Sequence, residues 1–417
     1  MIGLRLTRRA TLGAFVLAGA TAGCGGEDEA PVASWTAAWG TTMQGADSPF
    51  PDTMPRSFSD ETLRQRLVVT ASGDRVRLRL SNLFGTQPLE LAEVRVAKEA
   101  SPFVSAPGTD RRVQFSGQPS ASIPPASEAV SDGVDLAVSP GDRLLVSIYS
   151  AAPSEPATWH PFSFTTHAVA TGNQAASETL TSPTNITSTY WLAGVDVEST
   201  EPQKVVVAFG DSITDGSTST IDADKRYSDR LFARLQADPE TRMVAVVNQG
   251  LGGNRLLRDN IGPSAVSRFE RDVLGTPGVT HAIVLIGIND IGLPGLLGEA
   301  EKVTAAQLID GLKSLADKAR ARGVKAFVGT LLPFEEAFPP YYTPEGEVLR
   351  QEVNAWIRGN TSYDGVIDFE AAVRDPEQPA KILASFDSGD HLHPNDAGHE
   401  AMANAVPLSI FNRAATR

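Results

Sequence analysis

Four short stretches hold residue types that can do chemistry together: GDSITDG at 210–216, NQGLGGN at 248–254, GIND at 287–290 and DSGDHLHPNDAG at 387–398. The first puts Ser212 directly after an apolar run, KVVVAF. A serine hydroxyl is a poor nucleophile until a base takes its proton, and histidine is the natural base near neutral pH. The last stretch supplies His393, with Asp390 three residues before it as the nearest acceptor for the second ring nitrogen. An oxyanion would need fixed donors, and the amides of Ser212 and Gly253 with the side-chain amide of Asn289 are the candidates. Each block has a plainer reading alone. Ser212 could cap a helix, Asn289-Asp290 could form a turn, and Asp390 with His393 could cap the last helix.

The elements that would position these residues alternate. KVVVAF, MVAVVN, HAIVLIG, VKAFVGTLL and GVIDF read as buried strands. Amphipathic stretches separate them, for example 304–322 with Leu308, Leu312, Leu315 and Ala319 at helical spacing. That rhythm predicts a mostly parallel sheet covered by helices on both faces, with ligands at the carboxyl ends of the strands. The segments IGLPGLLGEAEKV and LPFEEAFPPYYTPEGE then become the expected pocket walls, with Phe334, Phe338, Tyr341 and Tyr342 offering flat surfaces.

Residues 34–197 have a different character. RVRLRLSNLFG places Val76, Leu78 and Leu80 on one face and Arg75, Arg77 and Arg79 on the other. LELAEVRVA, VDLAV and RLLVSIYS follow between Gly/Pro/Ser-rich turns, which predicts an all-β sandwich or jelly roll. VESTEPQ marks the expected boundary, giving a β domain at 34–197 and an α/β domain at 203–417.

Acidic residues outnumber basic ones, 50 to 36, for a net charge of −14. No Lys/Arg-rich run appears, so neither nucleic acid nor an anionic membrane surface is an expected partner. Residues 1–23 read as an export signal: Arg5, Arg8 and Arg9 precede an apolar run too short to span a bilayer. Thr7-Arg8-Arg9 is similar to a twin-arginine signal. Thr21-Ala22-Gly23-Cys24 resembles a bacterial lipobox, which makes the single cysteine the expected lipid attachment site, and 24–33 an acidic tether. The expected location is the bacterial cell envelope. The alternative is cleavage after Ala22, giving a soluble periplasmic or secreted protein.

The four blocks, in this order over about 204–410, resemble those of the SGNH hydrolases, also called the GDSL esterase/lipase family. The resemblance implies a three-layer α/β/α, flavodoxin-like domain. It implies Ser212 as nucleophile, Asp390 and His393 as its partners, and Ser212, Gly253 and Asn289 as oxyanion hole, with no cofactor and no metal. WTAAWG and the segment around RLRLSNLFG also look like an all-β domain that precedes some members. The implied activity is serine-dependent ester hydrolysis. The expected wall segments lack a long aliphatic run, which points to short-acyl esters, acetyl to butyryl, of a carbohydrate or an aromatic alcohol, with a small molecule or a polysaccharide as substrate. Lipase or lysophospholipase action on longer chains is one alternative, and a non-catalytic carbohydrate-binding protein another. Two further readings stay open: His391 as base, and a metal site of Asp390, His391, His393 and Asp396. His160, His167, His281 and His399 fall outside the blocks and read as surface or packing residues.

The lipid reading has a direct check. Cys24→Ser should move the protein from the membrane fraction to the soluble exported fraction. Equal membrane association of both forms would instead support simple cleavage.

Overall fold

The alternation of apolar and arginine side chains in the strand Gly73–Asn82 shows how the β-rich region is held. Val76, Leu78 and Leu80 point into the core and are fully buried. The opposite face is charge-paired: Arg77 and Arg79 both pair with Asp196 of the neighbouring strand Leu192–Ser199, and Arg75 pairs with Glu198. Asp196 is 0% exposed, so two cations across the strand pair balance one buried carboxylate. Arg77 also lies over the Trp35 ring, 4.5 Å from its centre.

The computed structural model describes residues 33–46, 54–201 and 203–412. Export signal, Cys24 and most of the tether lie outside the described residues. From Ala33 onward the chain forms one compact unit. Two antiparallel sheets face each other in its β-rich region. One runs Ser34–Gly40, Leu192–Ser199, Gly73–Asn82, Val134–Val138. The other is centred on Glu61–Val68, Arg143–Ser150 and Glu93–Ser101. Leu78 and Leu80 of the first sheet and Val94, Val96, Leu144 and Val146 of the second belong to one apolar core, as in a sandwich.

Five parallel strands follow. In space they run Val244–Gly250, Lys204–Gly210, Val279–Leu285, Lys325–Gly329, Gly365–Ile367. Numbered along the chain, the order is 2-1-3-4-5, that of flavodoxin-like folds. The order reverses between Lys204–Gly210 and Val279–Leu285, and a ligand crevice opens at such a switch point. Ser212 follows the first of these strands and Asn289 the second.

The β-rich region covers the free edge of this sheet. Thr70 Oγ1 accepts from the Val246 amide at 3.2 Å and donates to the Val246 carbonyl at 2.9 Å. At Val246 the open edge is thereby satisfied rather than left as a pairing template. Beneath the strand ends lies Arg268, with no exposed side-chain surface. Its guanidinium donates to the carbonyls of Gly210 (2.7 Å) and Gln249 (2.9 Å), to Asn254 Oδ1 (2.9 Å), to Asp272 Oδ2 (3.0 Å) and to Thr42 Oγ1 (3.0 Å). Burial pulls its pKa down to about 10, against the pull of Asp272.

Arg268→Met should therefore cost about 3–5 kcal/mol, the range for removing one partner of a buried pair. Urea unfolding measures it; a loss below about 1 kcal/mol would show that water replaces the guanidinium.

Candidate active site

The last residue of the strand Lys204–Gly210 has no room for a side chain. A Cβ on Gly210 would lie 2.2 Å from the Leu285 carbonyl oxygen and 2.3 Å from Thr214 Oγ1. Asp211 then turns the chain. Its Oδ1 accepts from the Ile213 amide at 3.0 Å and caps the short helix Ser212–Asp215, so Asp211, not Ser212, is the N-cap. The Ser212 hydroxyl is left to the cleft, 2.8 Å from His393 Nε2.

His393 arrives on the segment before the last helix, Asp396–Ala405, whose cap is Asn395 rather than Asp390 or His393. Its Nδ1 lies 2.6 Å from Asp390 Oδ2. A carboxylate there holds the ring proton on Nδ1 and leaves Nε2 to accept from Ser212. Asp390 Oδ1 accepts from the amides of Leu392 (3.0 Å) and His393 (2.8 Å). Burial pushes the Asp390 pKa up, but these bonds and His393 outweigh it and hold the carboxyl well below its ordinary range.

The remaining donors come from two loops tied together. Gly253 has φ +71°, and a Cβ there would meet Ile261 Cδ1 at 2.6 Å, so the loop needs glycine to bring its backbone to the cleft. Asn289 Nδ2 donates to the Asn254 carbonyl at 3.0 Å, and its Oδ1 accepts from the Tyr341 hydroxyl at 2.8 Å. The amide orientation is thereby fixed, and one Nδ2 hydrogen remains for a ligand. Asp290 accepts from the amides of Leu256 (2.6 Å) and Leu257 (3.0 Å), pinning the glycine loop to the helix Ile288–Leu296. Burial raises its pKa to about 6.

Ser212, Gly253, Asn289 and His393 border one cleft of about 230 Å³. Both expected wall segments reach the cleft, though not with all the residues expected. GIND opens a helix rather than a loop, and that helix presents Leu293 and Leu296. Phe334 is fully buried in the core and Tyr342 packs against it, so neither is a platform. Phe338 does face the cleft, and Tyr341 reaches it while serving Asn289. The β-rich region adds Gln44, Pro161 and Phe162.

His391 and Asp396 are turned elsewhere. His391 Nδ1 meets Asp387 Oδ2 at 2.6 Å, and Asp396 accepts from the amide and hydroxyl of Thr220. Among the described residues no group of three His, Cys, Asp or Glu is arranged to hold a metal ion. The four remaining histidines are all buried, so none is a surface residue. His281 packs between Phe327 and Phe411, whereas His160 bonds Asp215 of the serine's own helix. Asp215 did not stand out in the motifs and Tyr341 was expected only as a flat wall, since only the fold brings their partners near. Among the described residues no helix is long and apolar enough to cross a membrane.

Asp211 has one oxygen buried without a partner, and burial raises its pKa from 3.8 to about 7 despite the Ile213 amide. Between those values the folded chain binds more protons than the unfolded one, so this group's contribution to stability falls as pH rises through that window. Asp211→Asn keeps the capping acceptor and removes the titration. Relative to wild type it should gain stability from about pH 4 to pH 7, by on the order of a few kcal/mol, with no gain below that window. Urea unfolding across that range checks it; a pH-independent difference would refute it.

Comparison with known proteins bears on the same segment. The sequence model of the GDSL-like Lipase/Acylhydrolase family matches residues 208–401. No curated protein matches the chain. Solved structures similar to it include a lipolytic protein of the G-D-S-L family from Desulfitobacterium hafniense DCB-2. That pair shares 21% identity over 48% of this chain and 96% of the other, with a TM-score of 0.35. The native aryl esterase of M. smegmatis shares 18% identity over 48% and 95%, with a TM-score of 0.39. A catalytic mutant of an acetylxylan esterase from Geobacillus stearothermophilus shares 23% over 51% and 97%, with a TM-score of 0.39. The chain carries, at residues 208–401, a domain of the GDSL-like lipase/acylhydrolase family, a family of carboxylic ester hydrolases.

Proposed function

We propose that this protein is an exported serine esterase that hydrolyses short-acyl esters with Ser212 as nucleophile. The observation that carries the reading is the continuous relay from Ser212 Oγ through His393 to Asp390, at 2.8 Å and 2.6 Å. Ser212 Oγ attacks the ester carbonyl as its proton passes to His393 Nε2, and Asp390 stabilises the imidazolium. The oxyanion is met by the amides of Ser212 and Gly253 and by Asn289 Nδ2. His393 returns the proton to the departing alkoxide, leaving an acyl-Ser212. Water then attacks with His393 as base, releasing the acid and restoring the serine. No cofactor enters any step. Export through residues 1–23 and lipid attachment at Cys24 belong to the same proposal and rest on the sequence pattern.

Cleft size supports a small substrate. About 230 Å³ is below the roughly 300–1,000 Å³ of ligand sites for larger molecules. Beyond the reacting groups the lining is mostly Pro161, Phe162, Ile261, Leu293, Leu296 and Phe338, which suits an aryl or other apolar alcohol better than a sugar. One observation favours a second reading, action on longer acyl chains. Phe162, Leu296 and Phe338 are 44%, 37% and 41% exposed at the rim, an apolar collar open to solvent.

A series of p-nitrophenyl esters separates the two. Each buried CH₂ is worth about 0.8 kcal/mol, so a site that holds a long chain would show kcat/KM rising about fourfold per carbon. The short-acyl reading expects a maximum between acetate and butyrate and a decline by octanoate. Folded Ser212→Ala should show no turnover on any of them; full activity of that variant would end the serine-esterase reading.

A further inference from the structure

His160 is 2% exposed and comes from the β-rich region, yet its ring reaches the helix that begins with Ser212. Nδ1 lies 2.8 Å from the Thr42 carbonyl. Nε2 lies 3.0 Å from the Phe162 carbonyl and 3.0 Å from Asp215 Oδ1. A carbonyl oxygen only accepts, so each ring nitrogen must carry a hydrogen, and the ring is an imidazolium. Its counter-ion is Asp215, whose side chain is 4% exposed. Burial works against the charged ring, but Asp215 and the two carbonyls outweigh it and raise the His160 pKa.

The pair sits where a small shift would matter. Asp215 is the last residue of the helix Ser212–Asp215, and its amide donates to the Asp211 carbonyl at 2.9 Å. On the other side the turn rests against Gly250, where a Cβ would come within 2.1 Å of the Asp215 nitrogen. The serine's helix is thus clamped between a strand end and a buried cation. Two residues beyond His160 stands Phe162, a wall of the cleft whose carbonyl belongs to the same cluster. Desolvating two charges is costly, and apolar side chains of similar volume often hold a core as well. Direction distinguishes this pair: it fixes the ring against three oxygens at once.

We propose that His160 is a positioning residue of the active site, its ion pair with Asp215 setting the Ser212 helix against the Phe162 wall so that the β-rich region controls the reactivity of the nucleophile. The inference rests on the reading of Ser212 as nucleophile. Both are tested by the rate at which diisopropyl fluorophosphate modifies Ser212, with kcat and KM for p-nitrophenyl acetate. His160→Gln and Asp215→Asn each remove one charge, and Asp215→Asn keeps an acceptor for Nε2. If the pair positions the serine, each folded variant loses about tenfold to a hundredfold in both modification rate and kcat, with KM within about twofold. The double variant should be no worse than the poorer single one, because the two act as a unit. Should His160→Gln fail to fold, Asp215→Asn gives the same reading alone. Folded variants with wild-type modification rate and kcat, or with a change confined to KM, overturn the inference. A wild-type protein left unmodified at Ser212 overturns the esterase reading itself, a distinct outcome.

Discussion

The arrangement depends on a buried cation with no route to water. Arg268 spreads its donors over the ends of two adjacent strands, through the Gly210 and Gln249 carbonyls, and over Thr42 of the β-rich region. The Gly210 carbonyl also accepts from the Leu251 amide at 3.2 Å, and the guanidinium is its second donor. A guanidinium suits this, because its planar fork reaches several oxygens at fixed angles. Asp272 supplies the balancing charge; burial raises its pKa, but Arg271 and Arg268 prevail and hold it below the ordinary value. Since Gly210 is the last residue before Asp211 and Ser212, the serine's turn hangs from this cation.

Joining the β-rich and α/β regions has a second consequence. The edge strand Val244–Gly250 would otherwise present a row of free amides and carbonyls. Thr70 satisfies Val246, and Ala37 donates to the Pro277 carbonyl at 2.9 Å, just before the strand Val279–Leu285 that lies two places in from the edge. These contacts bring the segment around His160 to the carboxyl end of the sheet. Phe162 and Gln44 thereby complete a cleft that the α/β region would leave open on that side.

Much of this was legible in the sequence, for reasons that differ by residue. Ser212, Asp390 and His393 stand in short blocks whose local spacing already brings histidine and carboxylate into one turn, so the pattern carries the geometry. The five strands were legible because parallel strands buried on both faces read as unbroken apolar runs. The arginine alternation of Gly73–Asn82 showed a strand with two unlike faces, but periodicity does not say what covers the second face, and Asp196 lies more than a hundred residues away. Tyr341 looked like a platform because an aromatic in a Pro-rich segment has no local sign of a hydroxyl partner; only the fold brings Asn289 to it. His160 and Asp215 escaped for the same reason, being joined solely by the packing of the β-rich region on the sheet.

Three aspartates around the cleft show how environment divides one residue type into different roles. Asp390 has a histidine ring and two backbone amides on its oxygens, and those donors favour the anion over the cost of burial. Asp290 has two amides and is more deeply enclosed, and there burial wins and raises the pKa to about 6. Asp211 has one amide on one oxygen and nothing on the other, and its pKa rises furthest, to about 7. The order follows the number of donors that replace lost water. Of the three, only the aspartate that faces the histidine ring has its pKa held below the ordinary value. The two that hold the serine turn and the glycine loop serve as acceptors for backbone amides, a role that does not depend on a full charge.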